Sequence, residues 1–257
     1  HDVSQGVSDS WLFLGDSITA GGMNNCFGTG FATYVNRIDE TYFPIQENGG
    51  IGGITSTDGA ENIDRWLSTY PGQYVSIAYG TNDCWGNPNN TEKYYTNTKY
   101  MIDTILAAGK TPVLPKIPGS TNPDVGPNVP LYNAKVEQLW EEYGDKLIQG
   151  PDFQSIMEEH PEYLSSDGVH PESNGYDAMR QIWAQTMYER VYSKETPVSD
   201  LPGDVNGDGS VSLTDAVMLQ KYLVNLGKLT APQNADLNAD GAADIYDMAF
   251  LKAKLFK

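Results

Sequence analysis

Short apolar runs alternate with longer amphipathic segments over the first 190 residues of the chain. The apolar runs predict five strands, at Ser10–Leu14, Phe43–Glu47, Tyr74–Tyr79, Thr111–Ile117 and Lys146–Gln149. The other segments predict five helices, at Phe31–Ile38, Gly59–Tyr70, Thr91–Ala108, Leu131–Tyr143 and Glu172–Tyr192. This alternation indicates an α/β fold, in which helices cover both faces of a parallel sheet. The active site of such a fold lies beyond the carboxyl ends of the strands.

The pattern changes near residue 200. Residues 195–202 contain Pro197 and Pro202 and no periodic apolar positions, which predicts a linker. Downstream, the hexapeptide DVNGDG at 204–209 recurs 32 residues later as DLNADG at 236–241, and each copy leads into a helical pattern. The sequence therefore predicts one domain at 1–194 and a small all-α domain at 203–257, built from a duplicated loop and helix.

The repeated loop has the oxygen ligands that a hard cation requires. Calcium takes side-chain oxygens from loop positions 1, 3, 5 and 12 and a backbone carbonyl from position 7, with a glycine turn at position 6. In order, these ligand positions hold Asp204, Asn206, Asp208, Ser210 and Asp215 in the first copy, and Asp236, Asn238, Asp240, Ala242 and Asp247 in the second. Asp244, at position 9, is a further ligand, directly or through water. Two Ca²⁺ ions are predicted, and a pair of metal-free Asx-rich turns is the alternative.

Charge and hydropathy narrow the choice of partners. The chain has 34 acidic against 16 basic residues, a formal net charge of −18. Such a surface repels phosphate backbones and anionic lipid, which predicts no nucleic-acid and no membrane partner. No apolar run approaches the roughly 18 residues of a membrane span. The first residues, His1-Asp2-Val3, lack an apolar h-region and are typical of a mature or trimmed chain.

A serine directly after the first predicted strand is the candidate nucleophile. The strand ends in a Gly-Asp-Ser turn, which places Ser17 where a nucleophile belongs, although a helix N-cap is the alternative role for such a serine. His170 is the candidate base, because Asp167 lies three residues before it and is able to orient its ring through Nδ1. A loop histidine without chemistry is the alternative for that position.

Acyl transfer also needs hydrogen-bond donors aimed at the oxyanion. Two segments after predicted strands offer them. The glycine-rich sequence NGGIGG at 48–53 has accessible backbone N–H groups, and the sequence GTND at 80–83 contributes the side-chain amide of Asn82. Neither the dinucleotide-binding GxGxxG pattern nor a P-loop lysine is present.

Together, Ser17 in GDSIT, Gly50 in NGGIGG, Asn82 in GTND and the Asp167–His170 pair resemble, in order and context, the four blocks of the SGNH (GDSL-type) hydrolases. The resemblance implies a flavodoxin-like α/β/α sandwich and an ester hydrolase without a catalytic cofactor. It implies that Ser17 attacks, that His170 acts as base and then acid, and that Asp167 orients His170. The backbone N–H groups of Ser17 and Gly50, with the Asn82 amide, would hold the oxyanion. The chain is most similar in kind to the acetylxylan esterases of this group.

The duplicated unit at 203–257 resembles a dockerin, the module that attaches cellulosomal enzymes to cohesins on a scaffold protein. An ordinary EF-hand has a helix before each loop and Glu at position 12, whereas here Pro202-Gly203 precede the first loop and both loops end in Asp. The resemblance implies calcium-dependent folding and cohesin binding through the helical faces. Loop positions 10 and 11, which help set the choice of cohesin, hold Leu213-Thr214 and Ile245-Tyr246. Because the pairs differ, one dominant binding orientation is predicted.

Three further residues each allow two interpretations. Trp85 either presents its ring to a sugar at the cleft or packs internally. Cys26 and Cys84, the two cysteines of the chain, either form a disulfide across the rim of the cleft or are two buried thiols.

The two halves together predict a secreted, extracellular carbohydrate esterase of a cellulosome, which removes acetyl groups from xylan or a related hemicellulose. Its partners would be acetylated plant polysaccharide and a cohesin. The alternatives are a feruloyl, pectin or lipid esterase, and a non-catalytic carbohydrate-binding protein. The polar segments at 87–90 and 121–128 offer no apolar lid for a lipase, and the intact set of Ser, Gly, Asn and His argues against a non-catalytic protein.

Overall fold

The computed structural model describes residues 9–24, 28–193, 201–207, 209–227 and 229–255. The chain divides into two compact units, His1–Tyr192 and Ser193–Lys257. Most of the predicted linker lies outside the described residues, as do Cys26 and Asp208. Each unit has an apolar core of its own.

The first unit is built on a parallel sheet of five strands. They are β1 Ser10–Gly15, β2 Ile45–Gly50, β3 Tyr74–Ala78, β4 Thr111–Leu114 and β5 Ile148–Gln149. Their order across the sheet is β2-β1-β3-β4-β5, and every neighbouring pair is parallel. All six residues of β1 are buried, as expected for a strand whose two faces are both covered.

Helices cover both faces of this sheet. They are α1 Ser17–Gly22, α2 Phe31–Ile38, α3 Ser56–Leu67, α4 Thr81–Cys84, α5 Thr91–Ala107, α6 Val129–Tyr143, α7 Phe153–Glu159 and α8 Ser173–Met187. Because side chains alternate along a strand, Leu12 and Leu14 of β1 join the core under α3, α5 and α6. Trp11 and Phe13 join the opposite core, under α2, α7 and α8. The predicted α/β fold with helices on both faces is confirmed.

Several element boundaries differ from the prediction. The short helices α1 and α4 at strand ends, and α7, have no predicted counterpart. Helix α3 begins at Ser56, earlier than predicted, because Thr55 and Asp58 form a capping box that fixes its start. The last predicted helix is α-helical to Met187 and then continues as a π-helical turn, Tyr188–Tyr192.

The second unit contains α9 Leu213–Leu223 and α10 Ile245–Leu255, one after each copy of the repeated loop. Its core is small and consists of Val205, Ala216, Leu219, Ala235, Met248 and Leu251. A capping box of Ser212 and Asp215 begins α9. Within the described ranges, none of the helices combines the length and apolarity needed to cross a membrane.

Candidate active site

The carboxyl ends of β1, β2 and β3 place three of the predicted blocks side by side. Strand β1 runs through Asp16 into α1, whose first residue is Ser17. After β2, a Cβ atom at Gly52 would lie 3.8 Å from the Cβ of Ser17. After β3, Asn82 of α4 donates its Nδ2 to the carbonyl of Ile54 at 2.9 Å. The loop after β2 therefore lies between the nucleophile and the amide.

Ser17, His170 and Asp167 form one continuous hydrogen-bonded chain. Ser17 Oγ lies 2.8 Å from His170 Nε2, and His170 Nδ1 lies 2.7 Å from Asp167 Oδ2. With the Nδ1 proton facing the carboxylate, Nε2 is left to accept the proton of the serine hydroxyl. The structure thus brings together the three side chains that the sequence analysis singled out as nucleophile, base and orienting acid.

Asp167 is held as a carboxylate by the donors around it. Its Oδ1 accepts the backbone N–H of Val169 at 2.8 Å and of His170 at 2.9 Å, and the hydroxyl of Ser165 at 2.8 Å. Burial acts to raise the pKa of Asp167, but the hydrogen bonds from His170 and these other donors outweigh it and hold the pKa well below its usual range. Asp167 therefore remains charged and is able to stabilise an imidazolium at His170.

The loop that carries Asp167 and His170 is held from within and from outside. Ser165 N donates to His170 O at 2.8 Å, which closes the loop on itself. Gly168 adopts a φ of +71°, a conformation that favours glycine, and its carbonyl accepts the hydroxyl of Ser120 at 2.6 Å. Asn122 donates its Nδ2 to the carbonyl of Asp167 at 3.0 Å. The segment at 120–124, which no motif marked, thus fixes the position of the acid and base.

Gly50, one of the predicted oxyanion donors, lies at the end of β2 and packs against α1. Its N–H donates to Asn48 Oδ1 at 2.9 Å, so that hydrogen is already used. A Cβ atom at Gly50 would collide with the backbone of Ala20 in α1, and close packing explains why glycine is needed there. The glycine beside Ser17 is Gly52. Gly50 stays a prediction as an oxyanion donor, and Gly52 is a further candidate in the same loop.

Two other donors remain candidates for the oxyanion. Asn82 uses one amide hydrogen for Ile54 O, and a side-chain NH₂ group has two. The N–H of Ser17 is the first of α1, so no carbonyl of the helix is able to accept it. Asp16 Oδ1 takes the next one, that of Ile18, at 2.9 Å.

The aspartate at position 1 of each repeated loop accepts N–H groups from the turn that follows it. Asp204 accepts from Gly207 and Gly209, both at 2.8 Å, and Asp236 accepts from Gly241 at 2.8 Å. Gly209 and Gly241 have φ values of +87° and +92°. This left-handed conformation is the turn that position 6 of a calcium loop supplies.

The aspartate at position 12 closes each loop through N–H groups at positions 3 and 9. For Asp215 these donors are Asn206 N (3.1 Å) and Ser212 N (2.8 Å), and for Asp247 they are Asn238 N (3.2 Å) and Asp244 N (2.8 Å). Both aspartates are fully buried. The two loops therefore fold alike, in the register that the duplication predicts.

The donor set of these loops fits a hard cation, because positions 1, 3, 5 and 12 hold Asp or Asn side chains and position 7 offers a backbone carbonyl oxygen. No lysine or arginine of the described residues forms an ion pair with buried Asp215 or Asp247. Across the described ranges, however, no three acidic, histidine or cysteine side chains already cluster around a metal position. Asp244 Oδ1 accepts the N–H of Tyr246 at 2.7 Å and so caps α10.

Comparison with known proteins assigns both units. Residues 13–178 match the GDSL-like lipase/acylhydrolase family, and this range contains Ser17, Asn82, Asp167 and His170. The chain belongs to this family. The predicted membership is confirmed, together with the enzyme class of this unit, a carboxylic ester hydrolase. Residues 202–256 match the dockerin type I domain, so the second unit is a dockerin, a domain type that typically binds calcium.

The acylhydrolase unit has relatives among both sequences and structures. A multidomain esterase of Ruminococcus flavefaciens is 24% identical over 209 residues, which are 73% of this chain and 27% of that protein. The chain thus spans about a quarter of the length of that relative. Axe2, an acetylxylan esterase from Geobacillus stearothermophilus, has 23% identity and a TM-score of 0.53, over 70% of this chain and 93% of its own. The psychrotrophic esterase EstA from Pseudoalteromonas sp. has 21% identity and a TM-score of 0.56, over 72% and 97%. At these identities the structures show a shared fold.

Trp85 lies at the edge of the acylhydrolase site. Its side chain is 44% exposed and directly follows α4, the helix of Asn82. The next residue, Gly86, donates its N–H to the carbonyl of Asp124 at 2.7 Å. Trp85 therefore stands next to the segment that holds the loop of Asp167 and His170, and it is partly exposed to solvent.

Cys84 is a free thiol that is fully buried beneath this edge. Its Sγ donates to the carbonyl of Thr81 at 3.3 Å, and burial raises the pKa of the thiol to about 12. Of the two interpretations, the structure gives Cys84 as a buried thiol, and Cys26 lies outside the described residues.

The structure also assigns a role to Asp83, which the sequence analysis named only as part of the GTND motif. Ser56, the first residue of α3, donates its N–H to Asp83 Oδ2 at 2.9 Å. Because α4 carries both Asn82 and Asp83, this bond ties the amide to the end of the glycine-rich loop. In the sequence, the signal available for this role was the position of Asp83 directly after Asn82 in the GTND motif.

The four predicted recognition residues of the dockerin all lie at its surface. Leu213 is 62% exposed at the start of α9, and Ile245 and Tyr246 are 67% and 65% exposed at the start of α10. Thr214 is also exposed. Farther along α10, Phe250 extends the apolar surface with 54% exposure.

Proposed function

We propose that the chain removes acetyl groups from xylan or a related plant polysaccharide outside the cell, while its dockerin holds it on a cohesin. The observation that carries the catalytic part is the chain of hydrogen bonds from Ser17 through His170 to Asp167. The substrate class is supported by the dockerin, which joins polysaccharide-degrading assemblies, and by the likeness of the fold to a protein named acetylxylan esterase.

In the proposed mechanism Ser17 Oγ attacks the ester carbonyl while its proton moves to His170 Nε2. Asp167 holds the imidazolium that results. The negative charge on the carbonyl oxygen is met by the Ser17 N–H, the free amide hydrogen of Asn82 and the backbone at Gly52. His170 then gives its proton to the leaving sugar hydroxyl, and water hydrolyses the acetyl-enzyme by the same steps.

The leaving sugar must lie on the side of the site from which His170 Nε2 donates its proton. Trp85 presents an exposed aromatic ring at this edge, and aromatic rings bind the apolar faces of sugars well. The segment at 120–124 supplies polar groups beside it. We therefore assign Trp85 to the binding of the sugar and not of the acyl group.

An acyl-ester series tests the proposed substrate. We expect acetate release from acetylated xylan, and turnover of acetyl esters well above that of butyryl or feruloyl esters of the same alcohol. The measurement is kcat/KM for each ester, with Trp85→Ala as a paired variant that raises KM for polysaccharide but not for a small acetyl ester. A preference for long acyl chains or feruloyl esters contradicts the proposed substrate. An equal KM of the parent and of Trp85→Ala on polysaccharide contradicts the proposed role of Trp85.

We propose calcium ions in both loops of the dockerin, held by Asp204, Asn206, Asp208 and Asp215 and by Asp236, Asn238, Asp240 and Asp247, with the backbone carbonyls of Ser210 and Ala242. The ions would join the buried carboxylates of Asp215 and Asp247, which accept backbone N–H groups and, at Asp215, the hydroxyl of Ser212. With the loops fixed, positions 10 and 11 at the starts of α9 and α10 face a cohesin.

The paired variants Leu213→Asp and Ile245→Asp test whether one cohesin orientation dominates. We expect Ile245→Asp to weaken cohesin binding by at least about tenfold, since a charge at the centre of an apolar contact costs about 1.4 kcal/mol or more. Ile245 adjoins two exposed aromatic residues of α10, Tyr246 and Phe250, whereas Leu213 is followed on α9 by exposed Val217. Aromatic residues are enriched among those that carry binding energy. Leu213→Asp should change the affinity little. If affinity falls only when both are combined, the two orientations are equivalent and the prediction is wrong.

A further inference from the structure

Asp16, between β1 and Ser17, is a buried carboxylate that the mechanism above leaves without a role. Its side chain is 1% exposed. Oδ1 accepts the N–H of Ile18 at 2.9 Å, while the equally buried Oδ2 has no hydrogen-bond partner in the part of the chain that the structure describes. Buried charges are normally paired, because an unpaired one destabilises the fold. An acid kept in this state beside the nucleophile calls for a functional explanation.

The space around Asp16 does not neutralise it. The carboxylate borders a small closed cavity whose other polar lining residues include Thr19, Thr81 and Lys116. The ammonium group of Lys116 is already held by Glu137 at 2.7 Å and by Asp152 at 2.9 Å. The remaining lining is mainly apolar, with Ile117, Phe153 and Trp183 among it.

Asp16 interacts electrostatically with six titratable groups of the described residues, Tyr79, Asp83, Cys84, Tyr94, His170 and Tyr176. His170 alone among these described residues is able to carry positive charge. Burial raises the pKa of Asp16 to about 6, and Asp83 adds to this, whereas the Ile18 N–H, His170 and Thr81 oppose it. Above that pH, Asp16 is an anion, and its charge attracts an imidazolium formed at His170 during the reaction.

We infer that Asp16 is a positioning residue of the acyl-transfer reaction, which fixes Ser17 through the bond to Ile18 N and favours the imidazolium of His170 through its charge. The inference rests on the proposed function. When the proton leaves Ser17 Oγ for His170 Nε2, the imidazolium has Asp167 at Nδ1 and the charge of Asp16 on the side of the nucleophile. The same charge assists until His170 returns the proton to the leaving alcohol.

The variant Asp16→Asn separates the two parts of this role. The amide oxygen still accepts the Ile18 N–H, but the charge is gone. We expect kcat on a small acetyl ester to fall by roughly 10- to 100-fold with little change in KM. Asp16→Ala also loses the hydrogen bond to Ile18 N, so its kcat should fall further than that of Asp16→Asn. The matched control is Asp9→Asn, which neutralises another buried acid with an unpartnered oxygen, at the opposite end of β1; it should keep the kcat of the parent.

Thermal unfolding against pH provides the readout that a purely structural role does not give. An acid whose pKa is raised on folding destabilises the fold once it ionises. The Tm of Asp16→Asn should therefore equal that of the parent below about pH 4. Above about pH 6 it should exceed that of the parent by about 5 °C. Lower kcat with higher Tm supports the inference. Unchanged kcat, or a loss of kcat with lower Tm at pH 8, overturns it. If Ser17→Ala keeps its activity in the same assay, the proposed function itself fails.

Discussion

The Ser17→Ala variant should lose turnover of acetyl esters by about 10⁴-fold or more, because the nucleophile of a serine hydrolase has no substitute within the site. The change removes one oxygen at the start of α1 and leaves the cap by Asp16 in place, so folding should be unaffected. The measurement is initial rate under saturating ester, with Tm and cohesin binding as controls for intact units. Turnover within tenfold of the parent would reject Ser17 as the nucleophile.

The companion variant Asp167→Asn tests the orienting acid separately. Its Oδ1 is able to keep the N–H groups of Val169 and His170, but an amide NH₂ would face His170 Nδ1 and favour the wrong tautomer. We expect kcat to fall by about 10³- to 10⁴-fold with KM nearly unchanged. Since the pKa of Asp167 in the parent lies well below its usual range, protonation of Asp167 should cause no loss of activity down to about pH 4. A parent whose activity depends on a carboxyl titrating above pH 4 at this position contradicts the assignment.

The side chains that we propose as catalytic were predictable because motif and topology indicate the same place. A parallel sheet brings its strand ends to one edge, so residues after β1 and β3 had to meet. Asp167 and His170 were predictable from their spacing together with the candidate nucleophile Ser17, since three residues suffice for the carboxylate to reach Nδ1. In this structure the bonds that close that contact are local ones, from Ser165 and Val169.

What the sequence left undetermined depends on atoms that only the fold brings together. Gly50 and Gly52 are the same residue type in one loop, and they differ because Gly50 packs on the backbone of α1 while Gly52 faces Ser17. No pattern shows that Asp16 is sealed from solvent with one oxygen unpartnered. The hydrogen bonds from Ser120 and Asn122 to the loop of Asp167 join segments more than 40 residues apart in the sequence, so no local spacing reveals them.

Chelation of calcium should unfold the dockerin and leave the acylhydrolase unit intact. The dockerin buries a core of only six side chains among its described residues, and units this small rarely gain more than about 3–5 kcal/mol from their core alone. An ion present at a thousand times its Kd contributes about 4 kcal/mol. Two such contributions exceed what the core supplies, so their loss should leave no stable dockerin fold.

Buried charge increases this dependence. Asp204, Asp215 and Asp247 are fully buried, and a buried carboxylate destabilises the fold unless a cation or hydrogen-bond donors compensate its charge. Calorimetry of the full chain should therefore show two transitions, of which EDTA removes one while excess Ca²⁺ restores it. Cohesin binding should be lost together with that transition, at unchanged turnover of an acetyl ester. Binding that persists in EDTA contradicts the prediction, and loss of turnover would indicate that the hydrolase also depends on a metal.

A matched pair in the second loop distinguishes ligation from helix capping. Asp247→Ala removes a buried carboxylate and should abolish one of two calcium-binding steps in titration calorimetry. Asp244→Ala removes an acid that caps α10 through Tyr246 N, so it should cost only about 1 kcal/mol of dockerin stability and keep both steps. If Asp244→Ala instead removes a calcium step, position 9 is a ligand, directly or through water, in addition to capping α10 through Oδ1. The outcome decides whether Asp244 ligates calcium or only caps the helix.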